Sequence, residues 1–351
     1  MRNLIRTVIV IGLAVGLVAL FLRNADLSRV WASVMAARPD YLLLALGLTA
    51  GTFLVRAERW QYLLGPLGPT LFSVVLRTTV IGFGASAILP ARAGEVIRPY
   101  LLARREGLSA TAAFATILVE RILDLVAVLT LMAAFLLWFD PGLEARDSAV
   151  FSAIRFGGIV MAPVAIGALL VMYFMAGHPE RLHAWLLKAE AILPAKIAAK
   201  IARFAQTFAE GFAVVRRPER LVAAMAWSIV LWMSIAAGIW AVSVAFNVAM
   251  PFTGAWLMLA PLVVGVAVPT PGGVGGFHEA YRIGATAFFG ADNDTAVGAA
   301  IVLHAISVGP VIIVGLLFMV QDGLKLGGMA KGQFNADRPN DDRPVGQGAK
   351  T

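Results

Sequence analysis

The 351-residue chain has no cysteine and only four histidines. Without thiols it can form no disulfide, thiolate metal site or cysteine nucleophile. Four scattered histidines leave too few ligands for a transition-metal centre, so no metal or cofactor is expected. Charge is scarce as well: Asp, Glu, Lys and Arg make up 14% of residues, against about 25% in an average soluble domain. Apolar residues fill the difference, at 60% of the chain, where about 45–50% is usual. A composition this apolar points to a membrane protein. The net charge of +8 then reads as the basic excess of cytoplasmic loops rather than a nucleic-acid footprint.

Enzyme signatures are also missing. His278-Glu279-Ala280-Tyr281-Arg282 begins like a zinc-peptidase helix, but Arg282 stands where the second histidine belongs. The glycine-rich run at 272–276 lacks the Lys-Ser/Thr of a phosphate loop. No Gly-x-Ser-x-Gly nucleophile elbow occurs.

A bilayer core of about 30 Å takes roughly 20 apolar residues per helix. Six segments fit: 4–22, 41–60, 111–139, 153–176, 221–247 and 296–320. Arg2 and Arg6 precede the first, but no small-x-small cleavage site follows it, so a retained span is expected. Two more apolar stretches, 71–105 and 254–289, are interrupted midway. The first holds Pro90, Arg92, Gly94 and Glu95; the second holds Pro269, Pro271, Gly272, Gly273, Gly275 and Gly276. Proline removes a backbone donor and clashes with the preceding turn, so both stretches are read as re-entrant hairpins, with a packing kink as the plainer alternative at 269–276.

Loop charges orient the chain. The 177–220 connector carries Arg181, Lys188, Lys196, Lys200, Arg203, Arg216, Arg217 and Arg220, whereas 140–152 carries Asp140, Glu144 and Asp147 against Arg146. The positive-inside rule places both termini in the cytoplasm, although Arg23, Arg29 and Arg38 run against it. Between 181 and 215, Leu182, Trp185, Ile192, Phe204 and Phe212 recur at helical spacing against a basic face. That amphipathic helix would lie on the inner leaflet or pack on the protein. From 327 to 351 the chain reads as a disordered polar tail, so residues 1–326 form the membrane domain.

The two broken stretches resemble each other. Glu95 and Glu279, Arg98 and Arg282, and Glu120 and His304 are each 184 positions apart. With the hairpins opening from opposite sides, this reads as an inverted repeat of halves 41–139 and 221–320, a frequent plan among secondary transporters. The expected fold is an all-α integral membrane protein, with about six full spans and two re-entrant helical hairpins.

Charge inside the apolar segments carries the functional signal. Glu120, Arg121 and Asp124 interrupt the third span, with Glu120 and Asp124 on one helix face. Each costs at least ~2.5–3.5 kcal/mol near the bilayer centre, so the three face the interior or water. Arg77, Arg92 and Glu95 add charge in the first broken stretch. These groups either bind a polar substrate or form a structural ion-pair network. Glu95 and Arg98 also fit an interfacial pair, and His304 alone fits a hydrogen-bonded core histidine.

Four motifs carry a resemblance. Arg56-x-x-Arg59-Trp60, Leu89-Pro90-x-Arg92-x-Gly94-Glu95-x-x-Arg98, Thr116-Ile117-x-x-Glu120-Arg121-x-x-Asp124 and Pro269-x-Pro271-Gly272-Gly273-x-Gly275-x-x-x-Glu279 resemble the flippase-like membrane domain of the lysylphosphatidylglycerol synthase family, across residues 5–325. The resemblance implies a bacterial or archaeal inner-membrane protein that moves a lipid between leaflets. It also implies that Arg92, Glu95, Arg98, Glu120, Arg121, Asp124 and Glu279 line the path. The family's aminoacyltransferase half has no counterpart among these residues, so no enzyme activity is expected. The cargo is then a phospholipid, a glycolipid, a hopanoid or a polyprenyl-linked lipid, and a lipid-modifying enzyme is a candidate partner. Two other classes compete: a secondary transporter of a small solute, and an accessory subunit of a lipid-modifying pathway.

Overall fold

A computed structural model of the chain describes residues 2–89, 92–138, 148–177, 207–268 and 270–324. Pro90, Pro269, most of the 177–220 connector, most of the acidic 140–152 loop and the 327–351 tail lie outside the described residues. Those described are all-helical, with no strand among them. The helices are α1 (Arg2–Leu22), α2 (Leu27–Ala36), α3 (Pro39–Leu64), α4 (Phe72–Ile88), α5 (Gly94–Glu106), α6 (Ala110–Trp138), α7 (Ser148–Gly177), α8 (Pro218–Ala245), α9 (Gly254–Ala267), α10 (Gly276–Phe289) and α11 (Asn293–Gln321).

Each of the six apolar segments is a helix: α1, α3, α6, α7, α8 and α11. Among the described residues four helices are long and apolar enough to cross a membrane, within α3, α7, α8 and α11. Helix α6 matches them in length, at 29 residues, but holds Glu120, Arg121 and Asp124 in its apolar run. Local chemistry sets many of the ends. Pro39 and Pro218 open α3 and α8 at positions where no backbone donor is needed. The Asp292 carboxylate caps α11 by accepting from the amides of Asp294 and Thr295. Gly107 and Gly290 close α5 and α10 in the left-handed conformation.

The short helix α2 has no counterpart in the apolar-segment reading. Asp26 caps it, accepting from the Ser28 and Arg29 amides. Ten residues long, it is too short to register as a span.

Both interrupted stretches form antiparallel helical pairs. In the first, Gly94 of α5 lies so close to Gly82 and Ser86 of α4 that a methyl group there would overlap both. In the second, Gly265 of α9 and Gly276 of α10 lie backbone to backbone. Small residues at a crossing let two helices approach to main-chain contact, where dispersion substitutes for the hydrophobic effect that lipid cannot supply. The breaks use different backbones: Arg92 takes the left-handed conformation (φ 52°) in the first, and Gly272, Gly273 and Gly275 take positive φ in the second.

These pairs sit inside a bundle in which α3 packs along α8, α4 along α11, and α9 along α6. The largest core cluster joins α8 to α11 with α6 and the start of the chain, through Leu257, Met258, Tyr281, Phe288 and their neighbours. A second surrounds Trp60, Leu63 and Leu64 of α3 and takes in Phe212, Val214 and Val215 from the end of the connector. The described end of that connector therefore packs on the protein. Long apolar side chains on the outside stay uncovered: Phe156, Ile159, Val164, Leu170 and Phe174 along α7, and Ile313, Leu317 and Val320 on α11. So wide an apolar surface suits a hydrocarbon solvent. The fold is that of a helical membrane protein.

The glycine crossing gives a direct test. Gly94→Ala should lower stability by about 3 kcal/mol or more, because backbone atoms cannot yield to the new methyl. Gly47→Ala, at an exposed position of α3 with open space around it, should be neutral or stabilise by about 0.5–1 kcal/mol. Thermal unfolding of the two variants in detergent, followed by size-exclusion chromatography, checks the contrast; matching midpoints would remove the tight crossing.

Candidate functional site

The charged residues of α6 meet partners from three other helices. Glu120 is fully buried, with 0% exposure. Arg98 of α5 donates through Nη1 to both of its carboxylate oxygens at 3.2 Å, and Arg121 donates through Nη2 at 2.9 Å. Arg59 of α3 brings Nη2 to 3.1 Å from Glu120 Oε1. One turn on, Asp124 accepts from Arg59 Nη1 at 2.5 Å and from the Trp232 indole of α8 at 2.9 Å. Arg121 Nη2 lies 3.2 Å from its other oxygen. Arg59 Nη1 also donates to the Ser228 hydroxyl at 2.9 Å, and that hydroxyl donates in turn to the Ala224 carbonyl. The i, i+4 spacing of Glu120 and Asp124 makes this possible, since it stacks both carboxylates on one face.

Aromatic rings hold the arginines flat. Arg98 lies 3.7 Å over the Trp60 ring, whose indole donates to Thr116 at 3.0 Å. Arg56 lies 4.7 Å over Phe83. A ring face attracts a guanidinium most strongly when water is excluded.

Beside the network lies a cavity of ≈ 470 Å³, within the range of a small-molecule site. Its lining includes the charged side chains Arg56, Arg92, Glu95, Arg98, Arg121 and Asp124 and the apolar side chains Ile235, Leu259, Leu262, Val263 and Ile306. Both hairpin breaks reach it, through Gly94 from the first and Gly272 and Gly273 from the second. They also touch each other: Arg92 Nη2 donates to the Val266 carbonyl at the end of α9, at 2.9 Å. Gly272 sits against the Ala87 carbonyl.

The other predicted residues sit elsewhere. Glu120 lies behind the cavity wall and acts on it through the arginines. Arg77 belongs to a separate cluster at the end of α11, 2.9 Å from Asp322 and 2.8 Å from the Gln321 side chain, and Arg105 pairs with the same aspartate. Glu279 and Arg282 pair with each other at 2.5 Å, and Arg282 adds a bond to Asn293 at 3.1 Å. Neither lines the cavity. His304 meets the Gly272 carbonyl at 2.9 Å, in ring contact with Phe277 and His278. Gly275 is pressed against Leu17 of α1.

The offset of 184 explains part of this. The glycines that make the two crossings, Gly94 and Gly276, are 182 apart. Two helical residues are about 200° of rotation. Pairing Glu279 and Arg282 with Glu95 and Arg98 therefore puts them on opposite faces relative to the crossings. Sequence reasoning also left Arg56, Arg59 and Trp232 out of the site, although Arg56 and Arg59 stand inside an apolar segment just as Glu120 does.

The model of the lysylphosphatidylglycerol synthase transmembrane region matches residues 4–315. The chain belongs to that family. No curated protein matches it. The family match spans α1 and nearly all of α11, and so covers every residue of the cavity and its ion-pair network.

Removing one partner from a buried ion pair strands the other, at a cost of about 3–5 kcal/mol. Arg59→Met should destabilise the protein by that amount, since it strips charge from Glu120 and Asp124 together. Adding Glu120→Leu and Asp124→Leu should deepen the loss, because it strands Arg98 and Arg121 in turn. Urea unfolding in detergent reads both, and an Arg59→Met protein as stable as the parent would rule out a role for the network in holding the helices.

Proposed function

We propose that this protein is a lipid translocase of the bacterial cytoplasmic membrane, carrying a polar headgroup across the bilayer through the cavity. One observation carries the reading: a single cavity is lined by both arginines and apolar side chains, where two helix breaks meet. A lipid has those two chemistries in one molecule. The headgroup would exchange water for guanidinium donors while the chains stay against Leu259, Leu262 and Val263. Bound there, it would meet Arg56, Arg98 and Arg121, with Glu120 and Asp124 holding the arginines in position. The chain would move the lipid without altering it, and a lipid-modifying enzyme would supply or consume the cargo.

In this reading both termini are cytoplasmic and α3–α6 and α8–α11 form an inverted repeat. The packing favours it. Contacts of α4 with α11 are matched by those of α9 with α6, those of α5 with α6 by those of α10 with α11, and α3 packs along α8, its own counterpart. A two-fold axis in the membrane plane between α3 and α8 would generate each from its mate. Exchanging the conformations of the two halves then converts a cavity open on one side into one open on the other.

The test is inter-leaflet exchange of fluorescent phospholipids in proteoliposomes, read by dithionite quenching. The parent should exceed protein-free vesicles, and Arg121→Gln should slow exchange by about tenfold, the effect of losing roughly 1.4 kcal/mol of headgroup binding. Uptake of a soluble solute without lipid exchange would instead favour a secondary transporter. Equal lipid exchange for parent and variant would remove the cavity from the path.

A further inference from the structure

The charge balance of the cavity carries a statement about the headgroup itself. Arg59, Arg98 and Arg121 converge on two carboxylates, Glu120 and Asp124, and with Arg56 close by the group carries two positive charges in excess. Both carboxylates are already engaged: Glu120 by Arg59, Arg98 and Arg121, Asp124 by Arg59, Arg121 and Trp232. The remaining pair at the cavity, Arg92 and Glu95, is neutral overall and 3.7 Å apart.

Donors are in excess as well. Among the described residues, Arg98 Nε and Nη2, Arg121 Nε and Arg59 Nε are buried with no hydrogen-bond partner. Asp124 Oδ2 lacks a bond in hydrogen-bonding geometry, but it lies 3.2 Å from Arg121 Nη2 and is not open to a cation. Arg56 lines the cavity over Phe83 with no carboxylate beside it among the described residues. A buried donor left unbonded is costly, and a charged one more so. Arg56, Arg98 and Arg121 reach the cavity itself, and a ligand that complements several guanidinium groups is an anion with several oxygens. Arginine suits phosphate for this purpose, because its planar fork presents parallel N–H donors to two oxygens at once.

We infer that the cavity takes an anionic phosphate-bearing headgroup and discriminates against aminoacylated lipids. The inference rests on the translocase reading above and narrows its cargo. A phosphodiester with an uncharged alcohol, as in phosphatidylglycerol, adds one negative charge and acceptor oxygens to a site where arginines outnumber carboxylates. An aminoacyl group adds an ammonium, which would find only carboxylates already paired and four arginines repelling it. Headgroup charge, more than headgroup size, sets the preference.

Binding to the full-length protein in detergent separates the possibilities, with phosphatidylglycerol, phosphatidylethanolamine, lysylphosphatidylglycerol and inorganic phosphate as probes. Phosphatidylglycerol should bind about tenfold or more tighter than lysylphosphatidylglycerol, the scale of one charge-assisted hydrogen bond. Arg56→Gln, which breaks no ion pair, should erase most of that preference, and Arg56→Lys should keep part of it. Lysylphosphatidylglycerol binding as tightly as phosphatidylglycerol would overturn the inference, as would Arg56→Gln weakening all lipids equally. Inorganic phosphate competing at the same concentration as the lipid would reassign the site to a soluble anion. Exchange assays on the same protein keep the two readings apart. Selective binding without exchange removes the translocase and leaves the anionic site; exchange without selectivity does the reverse.

Discussion

Glu120 is a carboxylate with no access to water, and the centre of the bundle is organised around pairing it with arginines. Three helices send a guanidinium to it: α3 through Arg59, α5 through Arg98, and α6 itself through Arg121. Between apolar helices in lipid, burying hydrocarbon gives little preference for one neighbour over another, because the surroundings are equally oily. A charge-assisted contact is directional, and its loss strands a charge. The network therefore fixes which faces of α3, α5, α6 and α8 meet, and at what height. Those faces carry the cavity's charged lining.

Around this anchor the architecture divides by chemistry. Where helices must touch closely, glycines stand in pairs, Gly82 with Gly94 and Gly265 with Gly276. Where they face lipid, the side chains are long and branched, as along α7. Where the backbone is irregular, residues of both breaks line the cavity, the setting in which membrane proteins tolerate irregular backbone. Arginine over an aromatic ring recurs at Arg56 and Arg98, which keeps a long cation extended without a carboxylate for each one.

Much of this was legible in the sequence. Twenty-residue apolar runs report helices directly, and all six are present. Proline and glycine within an apolar run report a break, and both breaks are found, because main-chain chemistry acts locally. What escaped is non-local. Arg59 reads as one more charge near the end of an apolar run, and nothing in its own segment shows that it reaches Glu120 and Asp124, which lie more than sixty positions away. Nothing in the segment around Trp232 shows that α8 places its N–H on Asp124. The spacing of 184 matched chemical labels, while the glycines that open α5 and α10, Gly94 and Gly276, are 182 apart; on a helix two residues separate opposite faces. Arg77 lies in the right segment but three turns from the break, where it meets Asp322 instead.

The bond from Arg92 to the Val266 carbonyl has a mechanical meaning. Arg92 belongs to the first break and Val266 to the last turn before the second, so this contact is a pin through two levers. The first hairpin cannot swing away from the second without breaking this bond between a guanidinium and a carbonyl. Arg92 already holds a left-handed backbone that a non-glycine residue adopts only when its surroundings enforce it. A ligand that offers this guanidinium a better acceptor would withdraw the pin, making occupancy itself the trigger for movement. If the protein is the translocase proposed above, an empty cavity would keep the levers joined and guard the bilayer against an open polar passage.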